Sequence, residues 1–351
     1  MIDGRIKSKF TKGLYAWHQD IIRDMPWKKT KDPYKIWISE IVLQQTRVAQ
    51  GKKYYVRLVE RFPDVKTLAQ ASEDDVLALW KGLGYYTRAR NLHKAAQVVM
   101  EKHDGIFPAT YDEIIALPGI GPYAAAAISS FAFDLPHAVL DGNVFRVLSR
   151  HRGIVTPIDT TAGKKSFSAL SQMLLDHEDP ARYNQAIMDF GALVCKPSLP
   201  LCSSCTLHSS CQSYHDGTVD LLPIKSKKVK IKKRYFHYLT IMASDGLYLE
   251  RREQNDIWKG LYQLPLIEAE KRLSKKDIAT QVKELYGSFQ KITKVYSASQ
   301  QLTHRLIYGD FYLVEGVKRI SKKSPTSFDR VKYLGLPKII DDYFKNHLLL
   351  Y

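Results

Sequence analysis

The hydrophobic pattern of the first 215 residues has the period of amphipathic helices. A first helix is predicted within residues 1–25, with an apolar face formed by Phe10, Leu14, Trp17, Ile21 and Ile22. Further helical segments are predicted at 33–50, within 51–110, and at 111–117, 122–131 and 152–194. This part of the chain is therefore predicted to be mostly α.

The pattern changes to period two after residue 234. Strands are predicted at Tyr235–Ala243, Leu247–Arg252, Gln290–Ser297 and Arg305–Val314, and helices at Lys275–Tyr286 and Pro337–Leu349. We therefore expect a separate α+β domain over 235–351. The segment before it, 216–234, carries seven basic residues in its last ten and is predicted to be a linker. Such a run is usually solvated, but it could also follow a DNA backbone.

One carboxylate lies inside an apolar helical segment. Asp32 and Pro33 are typical of an N-cap and a first helical residue, and the helix that they begin carries Glu40 between Ile36–Ile38 and Ile41–Leu43. An outward Glu40 would be an ordinary solvated carboxylate. A buried Glu40 would have a raised pKa and could hold a proton near neutral pH. The pattern alone favours the outward orientation.

A second carboxylate follows a tight turn within Leu117–Arg150. The turn Leu-Pro-Gly-Ile-Gly contains Gly119 and Gly121, and glycine allows backbone angles that a sharp reversal between helices needs. Free N–H groups at the start of the next helix would attract an anion such as a DNA phosphate. Asp141 follows about twenty residues later, at the head of another helix, where a carboxylate is also an ordinary N-cap. This combination suggests chemistry on a nucleic acid.

The segment Lys81–Tyr86 interrupts the helical pattern with Gly-Leu-Gly-Tyr-Tyr. Its apolar side chains could form a buried loop tip. They could also form a wedge that enters a DNA base stack, as apolar residues do in proteins that open the duplex.

All the cysteines of the chain fall within seventeen residues, in a C-x6-C-x2-C-x5-C pattern formed by Cys195, Cys202, Cys205 and Cys211. Disulfides are rare in a reducing compartment, so the cluster predicts a metal site with four thiolates. Zinc and an iron–sulfur cluster are both compatible with four thiolates, and the spacing does not choose between them.

The net charge points to a polyanionic partner. Lys and Arg total 53 against 36 Asp and Glu, which gives +17. Nucleic acid and an anionic membrane surface would both suit this charge, and solubility alone is the simpler explanation. The chain has no run of 18 apolar residues, and its N-terminus lacks the apolar core of a signal peptide. We therefore expect a cytoplasmic protein.

The turn at Gly119, the Asp141 segment and the cysteine pattern together resemble the helix-hairpin-helix DNA glycosylases that carry a 4Fe–4S cluster. Within that superfamily, PWKKTKDPYKIWISEIVLQQTRV, WKGLGYYTRARNL and the C-terminal domain resemble the MutY family, adenine glycosylases that act opposite 8-oxoguanine. The resemblance implies a six-helix barrel at about 27–134, a cluster domain from 1–26 and 135–215, and a Nudix-like domain over 235–351. It also implies a bacterial-type, nucleoid-associated monomer that binds double-stranded DNA.

The same resemblance implies roles for single residues. Glu40 would be the acid that protonates adenine at N7, and Asp141, oriented by Asn143, would stabilise the oxocarbenium-like sugar. Tyr123 occupies the position where bifunctional relatives such as endonuclease III carry a Schiff-base lysine, so the chain would be monofunctional. The residues expected around the flipped adenine are Arg23, Trp27, Lys28 and Gln185, with Lys28 in place of the family's usual arginine.

Other positions would contact DNA away from the adenine. The residues expected to fill the gap and touch the opposing base are Gln45, Thr46, Leu83 and Tyr85, and Lys196 would face a phosphate. The loop Leu302-Thr303-His304 falls where the family has Phe-Ser-His, which contacts 8-oxoguanine. The Nudix-like domain lacks the Glu-rich box that binds magnesium, so it would recognise rather than hydrolyse.

Three classes of function compete on this basis. An adenine glycosylase of base excision repair fits the order of the motifs. A thymine-mismatch or oxidised-pyrimidine glycosylase of the same fold is the second class, and the appended C-terminal domain argues against it. A non-enzymatic DNA-binding module with a structural metal is the third, and Glu40 and Asp141 argue against it.

Overall fold

The computed structural model describes residues 4–21, 23–226, 231–317 and 324–348. Three sequence predictions fall partly outside these residues: Ile22 of the first apolar face, 227–230 of the basic segment, and Leu349 at the end of the last helix. The described residues form two compact units, one within 1–69 and 94–228 and the other within 70–93 and 229–351. Across the described ranges, the structure contains no helix long and apolar enough to cross a membrane.

The helices follow the predicted order, and several end earlier than their patterns suggest. They are α1 (Gly4–His18), α2 (Pro33–Leu43), α3 (Val48–Arg61), α4 (Val65–Gln70), α5 (Glu73–Leu79), α6 (Thr87–Lys102), α7 (Tyr111–Ala116), α8 (Pro122–Phe133), α9 (Gly142–Arg152), α10 (Thr161–Leu174), α11 (Pro180–Leu193), α12 (Gln212–His215), α13 (Lys275–Tyr286), α14 (Phe328–Val331) and α15 (Lys338–Tyr343). Residues Phe344–Leu348 continue α15 as a π-helical turn.

Helix α2 begins where its capping residues predict. The Asp32 side chain accepts hydrogen bonds from the backbone N–H groups of Tyr34 and Lys35, and Pro33 is the first helical residue. The helix ends at Leu43 rather than continuing to residue 50, because Gln45 takes a positive φ of 54° that no α-helix can contain. Residues 34 and 36–42 are all buried, so α2 is enclosed on every side.

The two glycines of the predicted turn between α7 and α8 have different roles. Gly119 takes a φ of +79°, which favours glycine, as expected. Gly121 has extended backbone angles instead, and a Cβ added there would meet no described atom within 4 Å. The space at the N-terminus of α8 beside Gly121 is therefore open. The alanines Ala124–Ala127 of the same helix are all buried, and α8 packs on α2.

Helices α9 and α11 pack closely behind this pair. The Asp141 carboxylate caps α9 by accepting from the N–H groups of Asn143 and Val144, as the sequence predicts for an N-cap. At Gly191 of α11, a Cβ would lie 2.7 Å from the Cβ of Asn143 and 3.0 Å from its carbonyl oxygen. The position of α9, and with it the Asp141 segment, therefore depends on a glycine at 191.

The strands of the second unit are β1 (Lys232–Ile241), β2 (Gly246–Leu247), β3 (Glu250–Arg251), β4 (Tyr262–Gln263), β5 (Leu266–Ala269), β6 (Lys291–Gln301), β7 (Arg305–Glu315) and β8 (Thr326–Ser327). Four of them form a mixed sheet in the order β5–β1–β7–β6, in which β1 and β7 are parallel and the other neighbours antiparallel. The single strand predicted at Leu247–Arg252 is thus two short strands. Helix α13 begins at a capping box formed by Ser274 and Asp277.

The second unit extends beyond the expected C-terminal domain in two places. Strand β1 begins at Lys232, inside the expected linker, because residues 232–234 pair with residues 305–307 of β7. Residues 70–93, which are more than 130 residues away from 229–351 along the chain, cluster with this unit. The Tyr86 hydroxyl donates to the Leu336 carbonyl at 3.1 Å, and Arg251 pairs with Glu73 at 2.6 Å. Because these partners are far apart in sequence, no local sequence pattern predicts their contacts.

The close approach at Gly191 generates a prediction on stability. Gly191→Ala is expected to lower the free energy of unfolding by about 1–3 kcal/mol, because the new methyl group overlaps the Asn143 backbone. Gly142→Ala is the matched control, since no described atom lies within 4 Å of a Cβ there. Urea denaturation monitored by circular dichroism measures both variants. Equal stability of the two would contradict the packing described for α9 and α11.

Candidate active site

Glu40 is buried, contrary to the outward orientation that the pattern favours, with 6% of its surface exposed. Burial raises the pKa of its carboxyl group from 4.5 to about 7. A hydrogen bond from Tyr123 opposes this rise, and the nearby negative charge of Asp141 adds to it. The carboxyl group can therefore hold a proton near neutral pH.

The Tyr123 hydroxyl donates to Oε2 of Glu40 at 2.9 Å and lies 3.4 Å from the sulfur of Met188. Burial, together with the charges of Glu40 and Asp141, holds the pKa of Tyr123 well above 10. Tyr123 therefore stays protonated and acts as a fixed donor to one oxygen of Glu40.

Asp141 is held by several donors. Its Oδ1 accepts from the N–H groups of Asn143 and Val144 at 2.9 and 2.8 Å, and its Oδ2 accepts from Nδ2 of Asn143 at 2.8 Å. Burial raises the pKa of Asp141, while these hydrogen bonds and the charge of Arg146 oppose the rise. The structure thus brings Glu40, Tyr123 and Asp141 to one site, with Asn143 positioned as an orienting partner.

Arg146 connects this site to the cysteine segment. Its guanidinium donates to Oδ1 of Asn143 at 2.9 Å, to the Gly191 carbonyl at 2.7 Å and to the Cys195 carbonyl at 2.6 Å. The orientation of Asn143 therefore depends on a cation that also holds the backbone at Cys195.

A cavity of about 190 Å³ opens beside Glu40. It brings together three of the predicted base-contacting residues, Trp27, Lys28 and Gln185. Sequence reasoning missed the other lining residues, which lie on α2, α8, α11 and the segment just before α2: Thr30, Lys31, Ile36, Ser39, Phe131 and Ala181. The cavity offers one buried acid, one amide and two ammonium groups to a ligand.

Asp189 lies behind the cavity wall and was also missed by the sequence analysis. Its carboxylate accepts from Lys28 at 2.8 Å and Gln185 at 3.0 Å, and it pairs with Arg23. Nε2 of His18 lies 3.4 Å away. Arg23 is therefore tied to Asp189, and it is not among the residues that line the cavity.

The four cysteines line a single, mostly apolar cavity between the ends of α9 and α11 and the loop that follows. Burial raises the pKa of Cys205 to about 11 and raises those of Cys202 and Cys211. Among the described residues, no three His, Cys, Asp or Glu side chains converge closely enough to hold a single metal ion. Nη1 of Arg150 lies 3.6 Å from the Cys195 sulfur.

The remaining predicted contact residues lie at the surfaces of their own units, with one exception. In the first unit, Gln45 is exposed, and Thr46 and Lys196 are half-buried. In the second unit, the Tyr85 side chain is 49% exposed, and its hydroxyl is hydrogen-bonded to the Thr303 hydroxyl next to the exposed His304. Leu302 is half-buried. Leu83 is buried and does not project as a wedge.

Comparison with known proteins identifies the family. Residues 38–170 match the HhH-GPD superfamily of base excision DNA repair proteins. An adenine DNA glycosylase from Buchnera aphidicola subsp. Baizongia pistaciae is 37% identical over 339 residues, which are 93% of this chain and 93% of that protein. A human adenine DNA glycosylase is 40% identical over 213 residues, covering 58% of this chain and 39% of the human protein.

Two solved structures share the helical fold. A thermostable thymine-DNA glycosylase superposes with a TM-score of 0.57 and 28% identity, over 60% of this chain and 98% of that one. Endonuclease III in a non-covalent DNA complex superposes with a TM-score of 0.54 and 21% identity, over 62% of this chain and 99% of that one. Each of these two structures covers about 60% of this chain, whereas the Buchnera protein matches 93% of it. The chain therefore belongs to the adenine DNA glycosylase family within the HhH-GPD superfamily.

Proposed function

We propose that the chain is a monofunctional glycosylase of base excision repair that hydrolyses the N-glycosidic bond of adenine mispaired with 8-oxoguanine or guanine. The observation that carries this proposal is Glu40, a buried carboxyl group with a pKa of about 7 at the wall of a cavity. A base can leave as a neutral group only if it is protonated, and a carboxylic acid that keeps its proton at neutral pH can do this. We take adenine as the base because these relatives are named adenine DNA glycosylases.

The two carboxyl groups have different tasks in this mechanism. Because Tyr123 donates to Oε2 of Glu40, the acidic proton belongs on Oε1, which is free to deliver it to N7 of adenine. Asp141 accepts three hydrogen bonds and lies near the charge of Arg146, so it serves as the ionised group that stabilises the oxocarbenium-like sugar. A phenol at 123 cannot form a Schiff base, so the product is an abasic site.

The cavity beside Glu40 is the proposed adenine site, with Trp27, Lys28 and Gln185 around the base. Lys28 presents a single ammonium group there, and Asp189 holds it in place. Arg23 acts on this site through Asp189. The ammonium of Lys28 thus replaces the family's guanidinium without its planar pair of donors.

The DNA duplex would bind to both units. The open N-terminus of α8 at Gly119 and Gly121 presents N–H groups to a phosphate, and Lys196, Gln45 and Thr46 add contacts from the same unit. We assign 8-oxoguanine recognition to the second unit, with a Nudix-like fold over 235–351, through Tyr85 and Leu302-Thr303-His304. The proposed assembly is a monomer on double-stranded DNA.

The four cysteines fit one 4Fe–4S cluster better than a zinc ion. The thiols of Cys195, Cys202, Cys205 and Cys211 surround one apolar cavity, but the described side chains do not converge on a single ion. A cluster of four irons needs its thiolates spread around a larger body than one zinc ion does. When bound, the cluster would supply a rigid anchor for the loop of Cys195 and Lys196.

A single-turnover assay tests the proposed function. Duplexes carrying A opposite 8-oxoguanine, A opposite G, and T opposite G are incubated with excess protein, with and without hot alkali. We expect breaks only after alkali, fastest for A opposite 8-oxoguanine and slower for A opposite G. Glu40→Gln should slow the reaction by at least about 100-fold while sparing DNA binding. Cleavage of T opposite G alone, or breaks without alkali, would overturn the proposal.

The pKa of Glu40 predicts how this rate depends on pH. The acid form is required, so the rate should fall about tenfold per pH unit above pH 7, and it should also fall at low pH where Asp141 becomes protonated. Tyr123→Phe removes the hydrogen bond that lowers the pKa of Glu40, so the descending limb should move to higher pH.

Tyr183→Phe is the matched control for this pH profile. It removes a buried hydroxyl that has no hydrogen-bond partner among the described residues, so the descending limb should stay in place. A limb that is unaffected by Tyr123→Phe, or that moves equally in both variants, would contradict the assignment of Glu40 as the acid.

The cysteine cavity predicts the metal content of the purified protein. Protein prepared under reducing, anaerobic conditions should contain about four iron atoms and four sulfides per chain, without zinc. Cys202→Ser should lower the iron content and loosen the loop, because one of the four thiolates is lost. Metal analysis of both proteins measures this. One zinc per chain and no iron would contradict the cluster.

A further inference from the structure

Asp189 of α11 is the least exposed charged group near the cavity, with 2% of its side chain accessible. Four side chains contact it: His18, Arg23, Lys28 and Gln185. Of these, only Lys28 and Gln185 also line the cavity beside Glu40. One buried carboxylate therefore holds two of the groups that a ligand in the cavity would meet.

This carboxylate is ionised. Burial by itself would raise the pKa of Asp189, but hydrogen bonds from His18, Lys28 and Arg23 outweigh burial and hold the pKa well below its usual range. An ionised carboxylate only accepts hydrogen bonds. Any group that contacts it at hydrogen-bond distance must therefore be a donor.

The ionised carboxylate of Asp189 determines the orientation of the Gln185 side-chain amide. Its nitrogen lies 3.0 Å from Oδ2 of Asp189, one helical turn away. The opposite orientation would place the amide oxygen against a buried anion, with two acceptors in contact and no proton between them. Asp189 thus fixes the amide in one orientation, with its nitrogen engaged and its oxygen left as the acceptor for a ligand.

A fixed acceptor distinguishes two classes of purine. An amino group at C6, as in adenine, donates a hydrogen bond to such an oxygen. An oxo group at C6, as in hypoxanthine, places an acceptor against an acceptor, and a buried site that leaves polar groups unpaired rejects the ligand strongly. A glutamine with a freely rotating amide would accommodate both.

We propose that Asp189 is a positioning residue that orients the Gln185 amide and thereby makes the cavity select 6-amino over 6-oxo purines. This rests on the proposed function, in which the cavity receives the flipped base. Asp189 does not touch the base and acts only through Gln185.

The test compares single-turnover cleavage of adenine and hypoxanthine, each opposite 8-oxoguanine, in the full-length protein. Asp189→Asn can present either a donor or an acceptor to Gln185, so the adenine-to-hypoxanthine rate ratio should fall at least about tenfold. Gln185→Met should reduce the ratio to the same level. The double variant should show no further loss in the ratio, because both changes remove the same oriented oxygen.

Arg23→Gln is the matched control. It removes a cation from Asp189 without changing the Asp189–Gln185 contact, so its rate ratio should stay within about threefold of the wild type even if its rates fall. A merely structural role of Asp189 would lower both rates together and leave the ratio unchanged, which would overturn this proposal.

Gln185→Met keeps the proposal testable if Asp189→Asn does not fold. A Gln185→Met protein with the wild-type ratio would overturn it, as would a double variant whose ratio falls below that of Gln185→Met. If the wild-type protein cleaves adenine and Asp189→Asn keeps the wild-type adenine-to-hypoxanthine rate ratio, only this inference is overturned. Wild-type protein that cleaves no adenine would overturn the proposed function and this inference with it.

Discussion

A carboxyl group enclosed in a helical core costs free energy whenever it ionises, and the helical unit is arranged around one such group. Helix α2 is buried on all sides, so Glu40 loses the solvation that its charged form needs. The hydrogen bond from Tyr123 partly offsets this loss, whereas the nearby charge of Asp141 further disfavours ionisation. The packing that makes α2 stable is therefore what keeps an acid protonated near neutral pH.

The same hydrogen bonds serve folding and chemistry at Asp141. The Asp141 carboxylate caps α9 by accepting hydrogen bonds from the first N–H groups of that helix. The same hydrogen bonds oppose the rise in the pKa of Asp141. Arg146 joins Asn143 to the backbone at Cys195, and Gly191 permits the close approach of α11. Loss of any of these would move the carboxylate, so the cysteine segment and the active site depend on a common set of contacts.

The parts of the fold and the candidate site that depend on neighbouring residues could be predicted from sequence. Asp32, Asp141 and Gly119 act through neighbours a few residues away, so capping and turn rules located them. The orientation of Glu40 could not be predicted, because a helix that is apolar all round has no periodic face to assign. Asp189 was missed because its cationic partners lie more than 160 residues earlier. The clustering of 70–93 with the C-terminal unit depends on similarly distant contacts.

The most direct test of this account is the pKa of Glu40 itself. Nuclear magnetic resonance of protein labelled with carbon-13 at the glutamate carboxyl groups can follow each titration, with Glu40→Gln identifying the resonance that disappears. The account predicts a midpoint near 7 in the wild-type protein. A midpoint near the ordinary value of 4.5 would show that Glu40 is ionised at neutral pH, and it would contradict the role of Glu40 as the acid.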